Sequence, residues 1–442
     1  MSDAGILLGP LGITAVALLA RRRLTPGWGV WIAVWVGLDT AVTLALTLPA
    51  IGRGEWGAIF LAVTNLVALT SVGDSVLWLR EHTRVAPHRY YFWWSLFWAA
   101  LLGIALSKNL ALSWLAVEFS TLASAALIIE MGGPHALEAG WKYIVIASVG
   151  LILALTGIVF IYATLRYQGL SWATLDFSNL HAQYPQIAPV VQQLGAILLV
   201  SGFGTKAGLV PFHTWLPDAH SEAPSPVSGL LSGVLLGLSL FTVARAVGTV
   251  PTGLPVYFSV DHLLTLFGAI SVVVGALALL VQQDIKRLLA YSSIEQVGMM
   301  AVALGLGSRA AVGAALMQFV LHAVIKSSLF YGAGHLSVRY GTKGLSDITS
   351  LWARHRLGAL LWTLGILALA GVPPLGLAYS EWLILDQLWL HHAYLVVAVV
   401  SVSLTISFAA LAHHLIHNLW GAPHESAEGQ APSDKLDVQE VI

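Results

Sequence analysis

Between Ile144 and Ala163 twenty residues pass without one charged side chain, and runs of this kind recur along the whole sequence. A bilayer-crossing helix needs about 20 consecutive apolar residues, because no water is present to satisfy an open backbone. Strands of a membrane barrel would instead alternate over roughly ten-residue segments, so the long runs select helices. Composition agrees: 57% of the 442 residues are hydrophobic and 10% charged, with a mean hydropathy of +0.80. Soluble globular proteins carry roughly 25% charged residues. The fold class expected is therefore an all-α polytopic membrane protein.

Apolar spans fall near 5–20, 29–49, 57–80, 91–108, 110–130, 140–165, 189–215, 222–248, 262–281, 286–307, 311–338, 357–388 and 393–419, which predicts about thirteen crossings. The first span is preceded only by acidic Asp3 and followed by Arg21, Arg22 and Arg23, the reverse of a cleaved signal. Placing the N-terminus outside puts fourteen of the Lys and Arg residues in cytoplasmic segments and five outside. That predicts a multi-pass protein of the inner (cytoplasmic) membrane with a cytoplasmic C-terminus. The polar stretch 421–442 reads as a cytoplasmic tail.

A net charge of -1 offers no basic surface for nucleic acid, and the absence of cysteine excludes thiolate metal sites, cysteine-ligated clusters and cysteine nucleophiles from this chain. No cofactor, metal site or catalytic residue is expected, so any redox chemistry belongs to a partner. His413, His414 and His417 could hold a metal but read better as interfacial residues.

Five ionisable residues lie deep inside apolar spans: Glu118, Lys206, Glu295, Lys326 and Glu381. Unpaired at the bilayer centre they would together cost about 12–18 kcal/mol, so they must be paired or hydrated. Such residues mark ion paths by default; the bland alternative is a set of ion pairs that only fixes packing. His322 stands four residues before Lys326 and shares its helix face. Asp39 and Asp74 also fall within spans and read as structural hydrogen-bonding groups.

The interval from Glu118 to Glu295 is 177 residues and from Lys206 to Glu381 is 175. Five spans separate each pair, an odd number, so the copies would run in opposite directions, as in transporters built from inverted repeats. The domains expected are a three-helix segment (1–90), a first five-helix repeat (91–248), a second, inverted repeat (249–420) and the tail. Each repeat contains an interrupted span, at Pro211 and at Pro373 and Pro374, expected to break helices 7 and 12 beside a buried charge. Gly229, Gly233 and Gly237 form a ridge suited to close helix packing.

The stretch KAGLVPFHTWLPDAHSEAPSPVSGLLSG from Lys206, with DIKRLLAYSSIEQVG, HAVIKSSLFYGAGH and LALAGVPPLGLAYSEWLIL, resembles the antiporter-like membrane subunits of respiratory complex I, energy-converting hydrogenases and multisubunit cation/proton antiporters. WKYIVIASVG, YSSIEQ and SEWLIL look closest to hydrogenase-4 component F. The resemblance implies that Glu118 pairs with Lys206, that Glu381 opens to the opposite side, and that His322 and Lys326 link two half-channels. It also implies partners: other membrane subunits, a peripheral redox arm or a soluble protein, the surrounding lipid, and protons or sodium ions as cargo. Two unit charges 4 Å apart at an effective dielectric near 20 interact by about 4 kcal/mol, enough for Glu118 to hold or release a proton on Lys206 by moving. One departure is Gly237, where many members carry a lysine or histidine on the eighth helix. Rival readings are a cation/proton antiporter, a proton-path subunit serving a soluble zinc protein that accumulates inorganic carbon, and a scaffold with a defunct channel.

Overall fold

The computed structural model describes residues 6–20, 27–53, 55–167, 169, 175–183, 186–247 and 259–422. Arg21 to Arg23, the 248/249 boundary, Lys435 and all of the expected tail beyond residue 422 lie outside the described residues. Helices succeed one another as α1 (Leu8–Ala20), α2 (Trp28–Gly52), α3 (Trp56–Glu81), α4 (Pro87–Leu106), α5 (Leu110–Ile129), α6 (Pro134–Tyr167), α7 (Phe177–Gln183), α8 (Pro189–Ala207) and α9 (Trp215–Glu222). They continue as α10 (Ser225–Leu230), a π turn (Leu231–Leu235), α11 (Leu236–Val247), α12 (Val260–Leu279), α13 (Ile285–Leu306), α14 (Arg309–Tyr340), α15 (Leu351–Arg354), α16 (Arg356–Leu369), α17 (Ala378–Leu390) and α18 (Tyr394–Trp420).

Nine helices among the described residues are long and apolar enough to cross a membrane, counting α10 to α11 as one. The chain is thus an all-α, multi-pass membrane protein. Reaching about thirteen crossings requires adding α1, α4 and the two interrupted pairs, α8 with α9 and α16 with α17. The expected boundary at residue 91 falls inside α4, which starts at Pro87 because proline suits the first helical turn.

Burial ranks the helices. Over the most apolar eighteen residues of each, the α10 to α11 span is entirely buried and α13 is 89% buried, whereas α2 and α18 are 28% buried. Glycine sets this centre. A Cβ on Gly268 of α12 would stand 2.7 Å from the carbonyl oxygen of Gly298 on α13, and one on Gly275 would stand 2.9 Å from the Glu295 nitrogen. Only residues without side chains let the two backbones approach so closely. The Gly229, Gly233 and Gly237 ridge packs on α14, against Tyr331, Ala323 and Phe319 in turn.

Asn109 caps α5 by accepting from the Ala111 and Leu112 amides, and Asp284 caps α13 by accepting from Lys286 and Arg287. These two caps, 175 residues apart in sequence, also carry the β-bridges found among the described residues, Asn109 with Asp176 and Asp284 with Gly344. Counted from the caps, Glu118 is the ninth residue of α5 and Glu295 the eleventh of α13. Two positions on a helix are about 200° of rotation, so the two glutamates occupy different faces. Their interval of 177 is two residues longer than the 175 between the caps.

Candidate functional site

Lys206 lies in the last turn of α8 with no solvent exposure. The helix ends at Gly208, whose φ of 80° closes it with a left-handed residue, and Pro211 sits in the connection to α9. Lys206 Nζ donates to Thr121 Oγ1 at 2.8 Å and to the Tyr143 hydroxyl. Tyr143 OH shares a 2.8 Å hydrogen bond with Ser124 Oγ, and its ring stacks on Trp215 at 4.5 Å. Trp215 Nε1 donates to the Thr205 carbonyl at 2.8 Å, which ties α9 back onto α8 across the break.

Glu118, one turn before Thr121, is half-buried. Its Oε1 accepts from Ser148 Oγ at 2.9 Å, and its shielded Oε2 has no partner among the described residues. The direct Glu118–Lys206 pair expected from the resemblance is therefore absent: each charge is held by hydroxyls, because Lys206 reaches α5 one turn further along, at Thr121. The two stay within electrostatic reach of each other.

The second set of charges gathers around α13. Lys326 of α14 has no exposure and donates to the Leu289 carbonyl at 2.7 Å and to Ser292 Oγ. Glu295 accepts from Ser407 of α18 at 2.5 Å. Glu381, near the start of α17, accepts from Gln296 Nε2 at 3.0 Å; Gln318 donates to Gln296, and Ser380 donates to Gln318. Gln318, His322 and Lys326 stand at four-residue intervals on α14 and so share one face. Pro373 and Pro374 lie between α16 and α17, where Gly371 has a φ of 68° and its missing side chain leaves room for Glu381 Oε2. Any larger residue at 371 would be strained and would displace the carboxylate.

His322 Nε2 meets the Ser232 carbonyl at 3.3 Å, and Ser232 Oγ shares a 2.8 Å hydrogen bond with Ser293. Ser232 belongs to the π turn, a form found disproportionately at functional sites. One turn along, a Cβ on Gly237 would collide with the Phe319 ring, and Phe60, Phe241 and Phe319 lie with centroids 5.3 to 5.9 Å apart. The Gly237 position is thus sealed by aromatic rings.

Sequence reading missed every neutral member of these networks: Thr121, Tyr143 and Ser148 in the first, and Ser232, Ser292, Gln296, Gln318, Ser380 and Ser407 in the second. Helical spacing offered a signal for some, since Thr121 follows Glu118 by three and Gln318 precedes His322 by four. Of the unassigned acids, Asp74 of α3 bonds His335 of α14 at 2.8 Å, and Asp39 lies against Gly9 of α1. His414 and His417 each meet a backbone carbonyl, of Leu279 and Ser346. A cavity of about 210 Å³ opens among His135, Glu138, Lys142, Asp218, Glu222 and Arg287, with ion pairs Lys142–Asp218 at 3.3 Å and Arg287–Asp218 at 3.0 Å.

Lysines and carboxylates enclosed in a helical membrane bundle, beside two helices interrupted at glycine and proline, are the marks of a membrane ion-translocating subunit. Residues 107–407 match the family described as NADH:quinone oxidoreductase/Mrp antiporter, transmembrane, and the chain belongs to that family. It is 33% identical over 435 residues to a hydrogenase-4 component F homolog of Methylacidiphilum infernorum, covering 96% of this chain and 91% of that one. Identity to a Na(+)/H(+) antiporter subunit of Alkalihalophilus pseudofirmus is 25%, over 92% of this chain and 83% of that one. Among solved structures, a chain of an archaeal membrane-bound sulfane sulfur reductase superposes with a TM-score of 0.82 at 24% identity, covering 97% of this chain and 89% of that one, a likeness of fold.

Proposed function

We propose that this chain is the proton-translocating, antiporter-like membrane subunit of a complex I-like or hydrogenase-like oxidoreductase, working among other membrane subunits and driven by the redox chemistry of a partner. The observation that carries the reading is the fully enclosed Lys206 at an interrupted helix, held by Thr121 and Tyr143 with Glu118 within electrostatic reach. A buried ammonium in a bundle is costly and is retained where it works. Movement of Glu118 toward Lys206 would hold the proton there, and movement away would release it toward His322, Lys326 and Glu381.

An inner-membrane location with the N-terminus outside, and two five-helix halves of opposite direction, belong to the same reading. Matching caps and bridges at Asn109 and Asp284 support the repeat. The pairs Thr70–Tyr331 and Asp74–His335 each advance four residues, so α3 and α14 run parallel, as third and eleventh crossings must. A redox-driven role is favoured over cation exchange by the higher identity to the hydrogenase-4 relative, 33% against 25% for the antiporter.

The test is proton uptake by vesicles holding the assembled complex. Lys206→Ala should lower protons moved per electron pair by about a hundredfold, the scale of a lost proton-transfer group, while the partner still turns over. Unchanged pumping would sink the proposal, and sodium-dependent pH changes without an electron donor would transfer the chain to the antiporters.

A further inference from the structure

Outside the two networks, one line of ionisable groups runs from a half-open position into the centre of the bundle. His335 is 32% exposed at its side chain and bonds Asp74, which is 7% exposed. Lys286, at the start of α13, is 6% exposed and donates to the Ala223 carbonyl at 2.9 Å, just past the end of α9. The charged groups within electrostatic reach of its ammonium are Lys343, Asp284, Glu222 and Asp74. His220, in the last turn of α9, has no exposure and stacks at 4.7 Å on Phe330, one turn beyond Lys326 on α14. Its ring lies within electrostatic reach of Lys286, Lys326 and His322.

Packing does not account for these groups. The α3 seam is already tied by Thr70 to Tyr331 at 3.3 Å and by Ser71 to the Pro226 carbonyl at 2.8 Å. An ion-capable pair adds little to such a seam, since desolvation offsets most of its attraction. Both His220 ring nitrogens and His322 Nδ1 are shielded and lack a partner among the described residues. Each orphaned group of this kind costs about 1–3 kcal/mol unless internal water serves it. Water between the two imidazoles would complete a relay past the aromatic seal at Gly237.

We infer that Asp74 and His335 form the mouth of a proton inlet, which continues through Lys286 and His220 to His322 and Lys326. This rests on the proton-translocating reading above. A proton taken up by His335 displaces one along the line, and each group regains its starting state when the next arrives.

The experiment uses the assembled complex with the full chain in vesicles, comparing Asp74→Asn, which keeps a hydrogen bond to His335, and His220→Gln with Lys206→Ala. Both inlet variants should lower protons moved per turnover by about a hundredfold, and Asp74→Glu should restore most of the loss. Because the chain has no cysteine, His220→Cys can also be probed with a small water-soluble thiol reagent; it should react, while Phe319→Cys in the aromatic cluster should not. Normal pumping in Asp74→Asn and His220→Gln beside a dead Lys206→Ala overturns the inlet and leaves the function standing. Normal pumping in all three overturns both. If Asp74→Asn does not assemble, an unreactive His220→Cys still overturns the inlet.

Discussion

Around Lys206 every partner is a hydroxyl, from Thr121, Tyr143 and, one bond further, Ser124; around Glu381 the chain of partners is built from the amides of Gln296 and Gln318 and closes on Ser380. A hydroxyl rotates and can donate or accept, so it tolerates a lysine that gains and loses its proton. An amide presents a fixed donor and a fixed acceptor, so it orients a carboxylate in one state. The Lys206 site is suited to changing charge, the Glu381 site to holding a carboxylate in place beside its broken helix.

The largest effect expected from this contrast lies in the amide chain. Gln296→Leu removes the donor to Glu381 and leaves Gln318 without its acceptor, so proton movement should drop about a hundredfold in the vesicle assay. Thr121→Val should be milder, since Tyr143 still holds Lys206; equal losses would erase the contrast. Next comes the aromatic seal at Gly237. Gly237→Leu drives a side chain into Phe319 and should lower stability by about 1–3 kcal/mol, read as an earlier thermal transition of the detergent-solubilised complex. The smallest effect concerns the caps: Asn109→Ala and Asp284→Ala should each cost about 0.5–2 kcal/mol, and similar values would sharpen the case that α5 and α13 are corresponding helices.

What could be read from sequence follows from what is costly in lipid. Glu118, Lys206, Glu295, Lys326 and Glu381 stood out because a charge in an apolar run needs a reason, and Pro211, Pro373 and Pro374 because proline cannot continue a helix. Gln296, Gln318 and Ser232 did not stand out, since a neutral polar residue barely alters hydropathy and its partner sits on another helix, 22 residues away for Gln296 and Gln318. Span 357–388 reads as one interrupted crossing, and Gly371 with the prolines divides it into α16 and α17. The interval of 177 alone does not place Glu118 and Glu295 relative to their helix starts; counting from the caps does, as the ninth residue of α5 and the eleventh of α13. The direct Glu118–Lys206 pair was lost to Tyr143, whose hydroxyl comes from a third helix.

The π turn at Leu231–Leu235 holds one surplus residue within an otherwise regular helix. If that surplus were passed along the helix, Ser232 would swing about 100° around the axis, away from Ser293 and His322, while both helix ends stayed still. The central span could then act as a turnstile, joining or parting the inner hydrogen-bonded line by rotation alone, with no helix displaced and no cleft opened to either side of the membrane.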